Sequence, residues 1–331
     1  MRITIKVRRF NPEAPKPQPY WQDYTLEVTK TSTVLDALIR IREEVDESLA
    51  LRCSCRSAIC GSCAMRINGH ASLACKTKVS AVVDAHNTLT VEPMGNLPVI
   101  KDLVVDMTPH WHKVRAVEPW LQPVGPEPQG EYLAPNEAML HLAGVMNCIM
   151  CGACVSDCTV LEVDSNFLGP AALAKAYRFV ADPRDGMTKE RLAKYNAYGG
   201  IWDCTRCYEC VQVCPKGVAP MDRIMAMRER AIGMGLKDTY GARHTLAFEE
   251  LVEHSGRLDE LRLPLKTFGY TNIPKLVGLL PIALRALPKQ KAPSPFHKPI
   301  PEVKSFQTTF RKARQAAETE RQAPTSQAHH G

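Results

Sequence analysis

Thirteen cysteines stand in this chain, and twelve of them fall into three runs whose spacing suits metal chemistry. The first reads Cys55-x4-Cys60-x2-Cys63 with Cys75 further on, the plant-type spacing for four thiolates round a [2Fe–2S] centre. Small residues let such a loop wrap closely, and Ala58, Gly61, Ser62 and Ala64 supply them. The second run is Cys148-x2-Cys151-x2-Cys154-x3-Cys158, and the third is Cys204-x2-Cys207-x2-Cys210-x3-Cys214 followed by Pro215. Paired runs of this kind mark a two-cluster ferredoxin, in which the fourth cysteine of each run serves the other cluster. That crossing assigns Cys148, Cys151, Cys154 and Cys214 to one [4Fe–4S] centre, and Cys204, Cys207, Cys210 and Cys158 to the other. Zinc also takes four thiolates but favours paired C-x2-C spacings, and a disulfide framework belongs to shorter, secreted chains. Cys53 lies outside the spacing and reads as a buried or idle thiol. Centres of this type exchange single electrons at potentials set by cluster type, hydrogen bonds to sulfur and exposure, so three in series make a wire. The source and sink lie elsewhere, since neither a strand–GxGxxG–helix dinucleotide fingerprint nor a Ser/His/Asp constellation is apparent.

The elements that position these cysteines follow from periodicity. Segments 2–10 and 23–28 alternate as strands, 33–43 carries Val34, Leu35, Leu38 and Ile41 on one helical face, and short strands are expected near 64–67 and 88–92. Together they predict a compact α+β roll over 1–108, its helix covering one face of the sheet and its sheet supporting the first cysteine loop. Six prolines between Pro109 and Pro135 suggest a linker over 109–135. Over 136–240 the pattern turns helical, with helices expected at Glu137–Met146, Pro170–Ala181, Lys189–Tyr198 and Pro220–Met234. The remainder, 241–331, reads as an irregular extension apart from a helix at Thr245–His254, and its polar end at His329, His330 and Gly331 reads as disordered. Between Pro264 and Arg314 this extension holds ten Lys or Arg against the single acid Glu302, around the apolar string Ile273–Leu287.

The chain resembles the iron–sulfur subunits of succinate dehydrogenase and fumarate reductase over about residues 1–235. The likeness lies in Gln22-Asp23-Tyr24-Thr25-Leu26, Leu35-Asp36-Ala37-Leu38, Cys55-Arg56-Ser57-Ala58-Ile59-Cys60-Gly61-Ser62, Leu73-Ala74-Cys75 and Leu97-Pro98-Val99-Ile100-Lys101-Asp102-Leu103. It continues through Gly169-Pro170-Ala171, Ala176-Tyr177-Arg178-Phe179 and Cys214-Pro215-Lys216-Gly217. The resemblance implies a β-grasp [2Fe–2S] domain followed by an α-helical two-cluster domain. It further implies an FAD-containing flavoprotein partner that interconverts succinate and fumarate, and a membrane-associated quinone-reactive partner. The Cys55 centre would face the former and the Cys204 centre the latter, with no dicarboxylate site in this chain.

Three departures from the family pattern stand out. The position of Cys207 is usually not cysteine and the terminal centre usually [3Fe–4S]; here a complete run makes [4Fe–4S] the expectation, with [3Fe–4S] beside an idle Cys207 as the alternative. Thr159 to Val163 replace a usual proline and a tryptophan that lines the quinone pocket, and Thr205 stands where histidine is common. The common short members also lack the residues after about 240. These features suggest the branch whose third subunit is cysteine-rich and heterodisulfide-reductase-like, with the basic extension fastening the complex to an acidic bilayer or to that partner.

The start MRITIKVRRF reads as a strand rather than a signal, and no run of about 18 apolar residues suggests a spanning helix. A cytoplasmic subunit, peripheral on the inner membrane, is therefore expected. The formal net charge of +7 forms no basic stripe early in the chain, so nucleic acid is not an expected partner. A soluble multi-cluster ferredoxin shuttling electrons by diffusion is the alternative function.

Overall fold

A computed structural model describes residues 1–123, 125–140, 142–291 and 298–322, with side chains followed as far as residue 316. The chain divides into two units, Met1–Ala231 and Ile232–Gly331.

The first unit opens with strands β1 (Arg2–Arg9) and β2 (Tyr20–Glu27), joined antiparallel with Arg2 opposite Glu27 and Arg9 opposite Tyr20. With β3 (Ala64–Ile67), β4 (His70–Leu73) and β5 (Thr88–Glu92) they form a five-stranded sheet in the order β2-β1-β5-β3-β4, in which β1 and β5 run parallel. Helix α1 (Val34–Arg40) starts at a capping box made by Thr33 and Asp36 and continues into one wider turn, Ile41–Val45. Its buried Val34, Leu35, Leu38 and Ile39 meet Ile3, Ile5 and Val7 in one core, giving the α+β roll that the patterning predicts in the β-grasp form that the resemblance implies.

On β1 the buried face runs on from Val7 to Arg9, whose guanidinium cannot stay in the interior without partners. It donates to Asp102 Oδ1 at 2.9 Å, Asp46 Oδ2 at 2.7 Å, Gln22 Oε1 at 2.8 Å and Ser48 Oγ at 2.9 Å, and to the Tyr24 hydroxyl. Asp102 also accepts from the N–H of Phe10 and Ala50. This network ties the sheet to the segment that leads into the first cysteine loop. Helix α2 (Val79–Val82) and the two-stranded ribbon β6 (Val99–Lys101) with β7 (Val104–Val105) complete this part.

The proline-rich stretch expected to form a linker contains a helix, α3 (Thr108–Ala116). Pro109 does not prevent it, because a proline in the first turn lacks an N–H that would have no helical partner anyway. The segment after it is also held: Arg191 donates to the carbonyls of Val117, Glu118 and Trp120, and Tyr195 Oη to that of Val117. The expected helix Glu137–Met146 is two short helices, α4 (Asn136–Leu140) and α5 (Ala143–Met146), with His141 outside the described residues. Then come α6 (Ala153–Ser156), α7 (Thr159–Val163), α8 (Pro170–Val180), α9 (Thr188–Tyr195), α10 (Glu209–Gln212) and α11 (Pro220–Gly233). Helix α8, almost entirely buried, is the pillar against which α3, α5, α6 and α9 pack.

The second unit corrects the expectation of an irregular extension. It consists of α12 (Tyr240–Ser255), α13 (Arg262–Phe268), α14 (Ile273–Val277), α15 (Leu280–Ala286) and α16 (Val303–Gln322). Pro274 and Pro281 occupy first-turn positions of α14 and α15, where the missing N–H has no helical partner to lose. Helix α12 packs on α13 and α16, and Arg314 pairs with Glu249 and Glu253 across the latter contact. The terminal residues His329, His330 and Gly331 lie outside the described residues.

Candidate metal centres

The first cysteine loop is shaped to aim backbone N–H groups at sulfur. Arg56 and Ala58 adopt left-handed φ of 53° and 55°, and Gly61 one of 74°, so the chain doubles back on itself. Cys55 Sγ thereby receives the N–H groups of Ser57, Ile59 and Cys60 at 3.3 Å each, and Cys75 Sγ that of Ala58 at 3.3 Å. Cys63 and Cys75 sit at the open ends of the β3–β4 hairpin, where the Ala74 N–H bonds the Cys63 carbonyl. Hydrogen bonds from the Ser62 hydroxyl and from the N–H groups of Cys55 and Ser62 lower the Cys60 thiol to about 6, whereas burial pushes Cys63 up to about 12. Four thiolates held this way repel each other until cations lie among them, and donated N–H groups favour the anionic sulfur. Cys53 stays apart, half-buried against the sheet core.

The second and third runs share one backbone. Met150 and Gly152 are left-handed in the second (φ 56° and 81°), and Arg206 and Tyr208 in the third (φ 59° and 68°), at matching offsets from Cys148 and Cys204. Each run then enters a four-residue helix at the same offset, α6 or α10. Cys148, Cys151, Cys154 and Cys214 line one cavity together with Gly152, Ala171 and Pro220. Burial pushes Cys151 and Cys154 up, and the charges of Cys148 and Cys214 push them further. The other four thiols form a second group. Burial raises Cys158, with Cys207 and Cys204 adding to it; burial raises Cys210 to about 12, with Cys204, Cys158 and Cys207 adding to it.

Among the described residues no three His, Cys, Asp or Glu side chains converge closely enough to hold a single ion. Cys148, Cys151, Cys154 and Cys214 stand instead around a cavity, a donor arrangement that suits a polynuclear iron group with bridging sulfide.

The groups are close neighbours. A Cβ placed on Gly61 would lie 2.7 Å from Cys151 Cβ, so the first loop abuts the second run without room for a side chain. Cys154 feels the charge of Cys210, a member of the third group. The Cys148 group thus stands between the other two.

Several supporting residues carry no signal in the spacing. Asn96 Nδ2 donates to the carbonyls of Val155, Ser156 and Cys158, and Asp157 accepts from the Ala71 N–H at 2.7 Å and pairs with Arg66 at 3.2 Å. Arg228, buried and lowered to about 10 by that burial, donates to the carbonyls of Ile201, Trp202 and Cys204 and lies 5.2 Å over the Trp202 ring. A polar residue on an otherwise apolar helical face, as Arg228 is on α11, is the trace such a role leaves in sequence.

Comparison with known proteins agrees with this geometry. Residues 4–112 match the family described as a 2Fe-2S iron-sulfur cluster binding domain, and residues 144–218 match that described as a 4Fe-4S dicluster domain. The chain is 38% identical over 230 residues to the mitochondrial succinate dehydrogenase (ubiquinone) iron-sulfur subunit 1 of Oryza sativa subsp. japonica, covering 68% of this chain and 81% of that one. This chain is an iron–sulfur subunit of the succinate dehydrogenase and fumarate reductase family. The fumarate reductase iron-sulfur subunit of Mycobacterium tuberculosis is 39% identical over 238 residues, with coverages of 71% and 95%. The 8-methylmenaquinol:fumarate reductase iron-sulfur subunit of Wolinella succinogenes is 36% identical over 277 residues, covering 81% of this chain and 86% of its own, a span that reaches past residue 240. A chain of the Mycobacterium smegmatis Sdh1 complex in the apo form superposes with a TM-score of 0.63 at 28% identity, over 72% of this chain and 98% of that one. As a member of this family the subunit carries electrons within an oxidoreductase complex and is not a free ferredoxin. Its two domains are of the [2Fe–2S] and dicluster [4Fe–4S] types. Among the described residues no helix is long and apolar enough to cross a membrane.

Proposed function

We propose that Cys55, Cys60, Cys63 and Cys75 hold a [2Fe–2S] centre, that Cys148, Cys151, Cys154 and Cys214 hold a [4Fe–4S] centre, and that Cys158, Cys204, Cys207 and Cys210 hold a second [4Fe–4S] centre. When bound, these groups accept and release single electrons. The observation that carries the reading is the shared left-handed backbone of the second and third runs, with Cys214 on the cavity of the former and Cys158 among the thiols of the latter. We further propose a division into 1–108, a connection over 109–135, 136–240 and an extension over 241–331.

The outer group has support of its own. Partial burial pushes the Cys207 thiol up, but the Thr159 hydroxyl and the N–H groups of Glu209 and Thr159 turn to its sulfur and bring it below the ordinary thiol range. A proline at 159 would supply neither Thr159 donor. Two departures from the family pattern, Thr159 and Cys207, therefore act on one sulfur, and the pair suits a thiolate in use as a ligand.

In the complex, the Cys55 end faces an FAD-bearing flavoprotein that interconverts succinate and fumarate. The Cys204 end faces a quinone-reactive, membrane-associated subunit of the cysteine-rich, heterodisulfide-reductase-like kind, on the cytoplasmic face of the membrane. Iron analysis and low-temperature electron paramagnetic resonance on anaerobically isolated protein test the assignment: about ten irons per chain and no oxidised-state [3Fe–4S] signal are expected. About nine irons with that signal would leave Cys207 without a role. Co-purification of an FAD protein tests the partner.

A further inference from the structure

We propose that α14 and α15 form an in-plane anchor that lays this subunit on an anionic bilayer surface. Ile273 and Val277 on α14, Leu280 and Leu284 on α15 and Leu287 just after it recur at four, three, four and three residues, the interval of one helical face, and Ile282 is a further exposed apolar residue off that stripe. All five are more than half exposed, from 52% at Val277 to 65% at Leu284. An aliphatic stripe in water is a standing cost that burial elsewhere relieves.

The surrounding charge says what covers it. From Arg262 to Pro301 there is no Asp or Glu, while Lys275, Arg285, Lys289 and Lys291 are interleaved with the stripe or follow it. These four are exposed, and none makes an ion pair with an acid among the described residues. Apolar side chains on one face and cations of a single sign beside them match the acyl region and the phosphates of an anionic leaflet. Tyr270, 63% exposed, stands just before the stripe, where an amphipathic ring suits the headgroup level. A protein partner would be expected to meet aromatic anchors at the centre of the patch, and here the centre is wholly aliphatic.

The test uses the full-length chain, purified anaerobically, in sedimentation with vesicles of phosphatidylcholine alone or with about one third phosphatidylglycerol. The wild type should sediment with the anionic vesicles, several-fold less with neutral ones, and less again as salt rises. Leu280→Asp with Leu284→Asp should lower the bound fraction at least tenfold with the visible cluster spectrum unchanged, and Lys275→Glu with Arg285→Glu should remove the preference for anionic lipid. Sedimentation velocity without lipid identifies the competing occupant. Equal vesicle binding by wild type and the Leu280/Leu284 variant, no binding by the wild type, or a concentration-dependent dimer that the variant abolishes would each overturn the proposal. Cluster content is read separately by iron analysis, so failure here leaves the electron-transfer assignment standing.

Discussion

The loops that begin at Cys148 and Cys204 follow the same backbone path and end in the same four-residue helix, yet one is hemmed in and the other faces outward. In the inner loop the second left-handed position is Gly152, against which Met107 and Met94 close; in the outer loop it is Tyr208, 53% exposed. Cys151 lies under Gly61, whereas Cys207 is exposed and takes its donors from Thr159. On the assignment proposed above, one local structure serves two positions in a wire. Burial removes water from the inner sulfurs and from Cys158 and Cys210 of the outer group, and directed hydrogen bonds compensate for its presence at the exposed Cys207.

The largest effect should separate the two loops by their thiols. Cys151→Ser should remove the middle centre and leave an unstable protein, since the site sits between two others and under the first loop. Cys207→Ser should leave a folded chain that loses about one iron per chain and gains the oxidised-state resonance of a three-iron centre. Iron content and paramagnetic resonance on both variants check this, and an unchanged iron count in Cys207→Ser would break the comparison.

The next effect concerns how each loop is tied down. Arg228→Met leaves three carbonyls ahead of and within the outer loop without donors, at a cost of about 2–3 kcal/mol. Asn96→Ala removes the side-chain donor to three carbonyls at the end of the inner loop, at about 1–2 kcal/mol. In a unit of this size each kcal/mol corresponds to roughly 2–4 °C, so the temperature at which the visible absorption bleaches should fall more for Arg228→Met than for Asn96→Ala.

These ties mark the limit of what the chain announces. Cysteine spacing pointed to the three groups because the ligation proposed for them would fix residue type and interval together. Strands β3 and β5 and helices α8 and α11 followed from periodicity, because each buries one clear face. Arg9 continues an apolar alternation as a buried cation, and its partners Asp46 and Asp102 lie 37 and 93 residues away, a pairing that local pattern does not encode. After residue 240 the helix expected at Thr245–His254 is α12, whereas the short α14 and α15 each begin at a proline, a residue that first-turn positions tolerate but that local composition does not read as helix.

A smaller effect should appear in the potential of the outer centre. Thr159→Val keeps the side-chain shape and removes the hydroxyl donor to Cys207 Sγ. Reduction adds negative charge that such a donor stabilises, so losing it should lower the midpoint potential. A differential of about 1 kcal/mol between redox states corresponds to roughly 40 mV for one electron. A redox titration followed by paramagnetic resonance should show that shift in the outer centre alone, and an equal shift in the middle centre would mean that the two are not distinct environments.

The smallest effect tests the shared backbone itself. Tyr208 holds a φ of 68°, a conformation that costs an ordinary side chain about 1–2 kcal/mol. Tyr208→Gly relieves that strain but loosens the unfolded chain by about 0.5–1 kcal/mol, so stability should be unchanged or rise by up to about 1.5 kcal/mol. Gly152→Ala runs the same two terms in reverse: it tightens the unfolded chain by about 0.5–1 kcal/mol but brings a Cβ to a φ of 81° and to 3.2 Å from Met107 Cε, whose flexible end can yield. A net loss of up to about 1.5 kcal/mol is expected there. If the two substitutions proved equally harmful, the left-handed geometry at one of the loops would be wrong, and with it the argument that one backbone has been used twice.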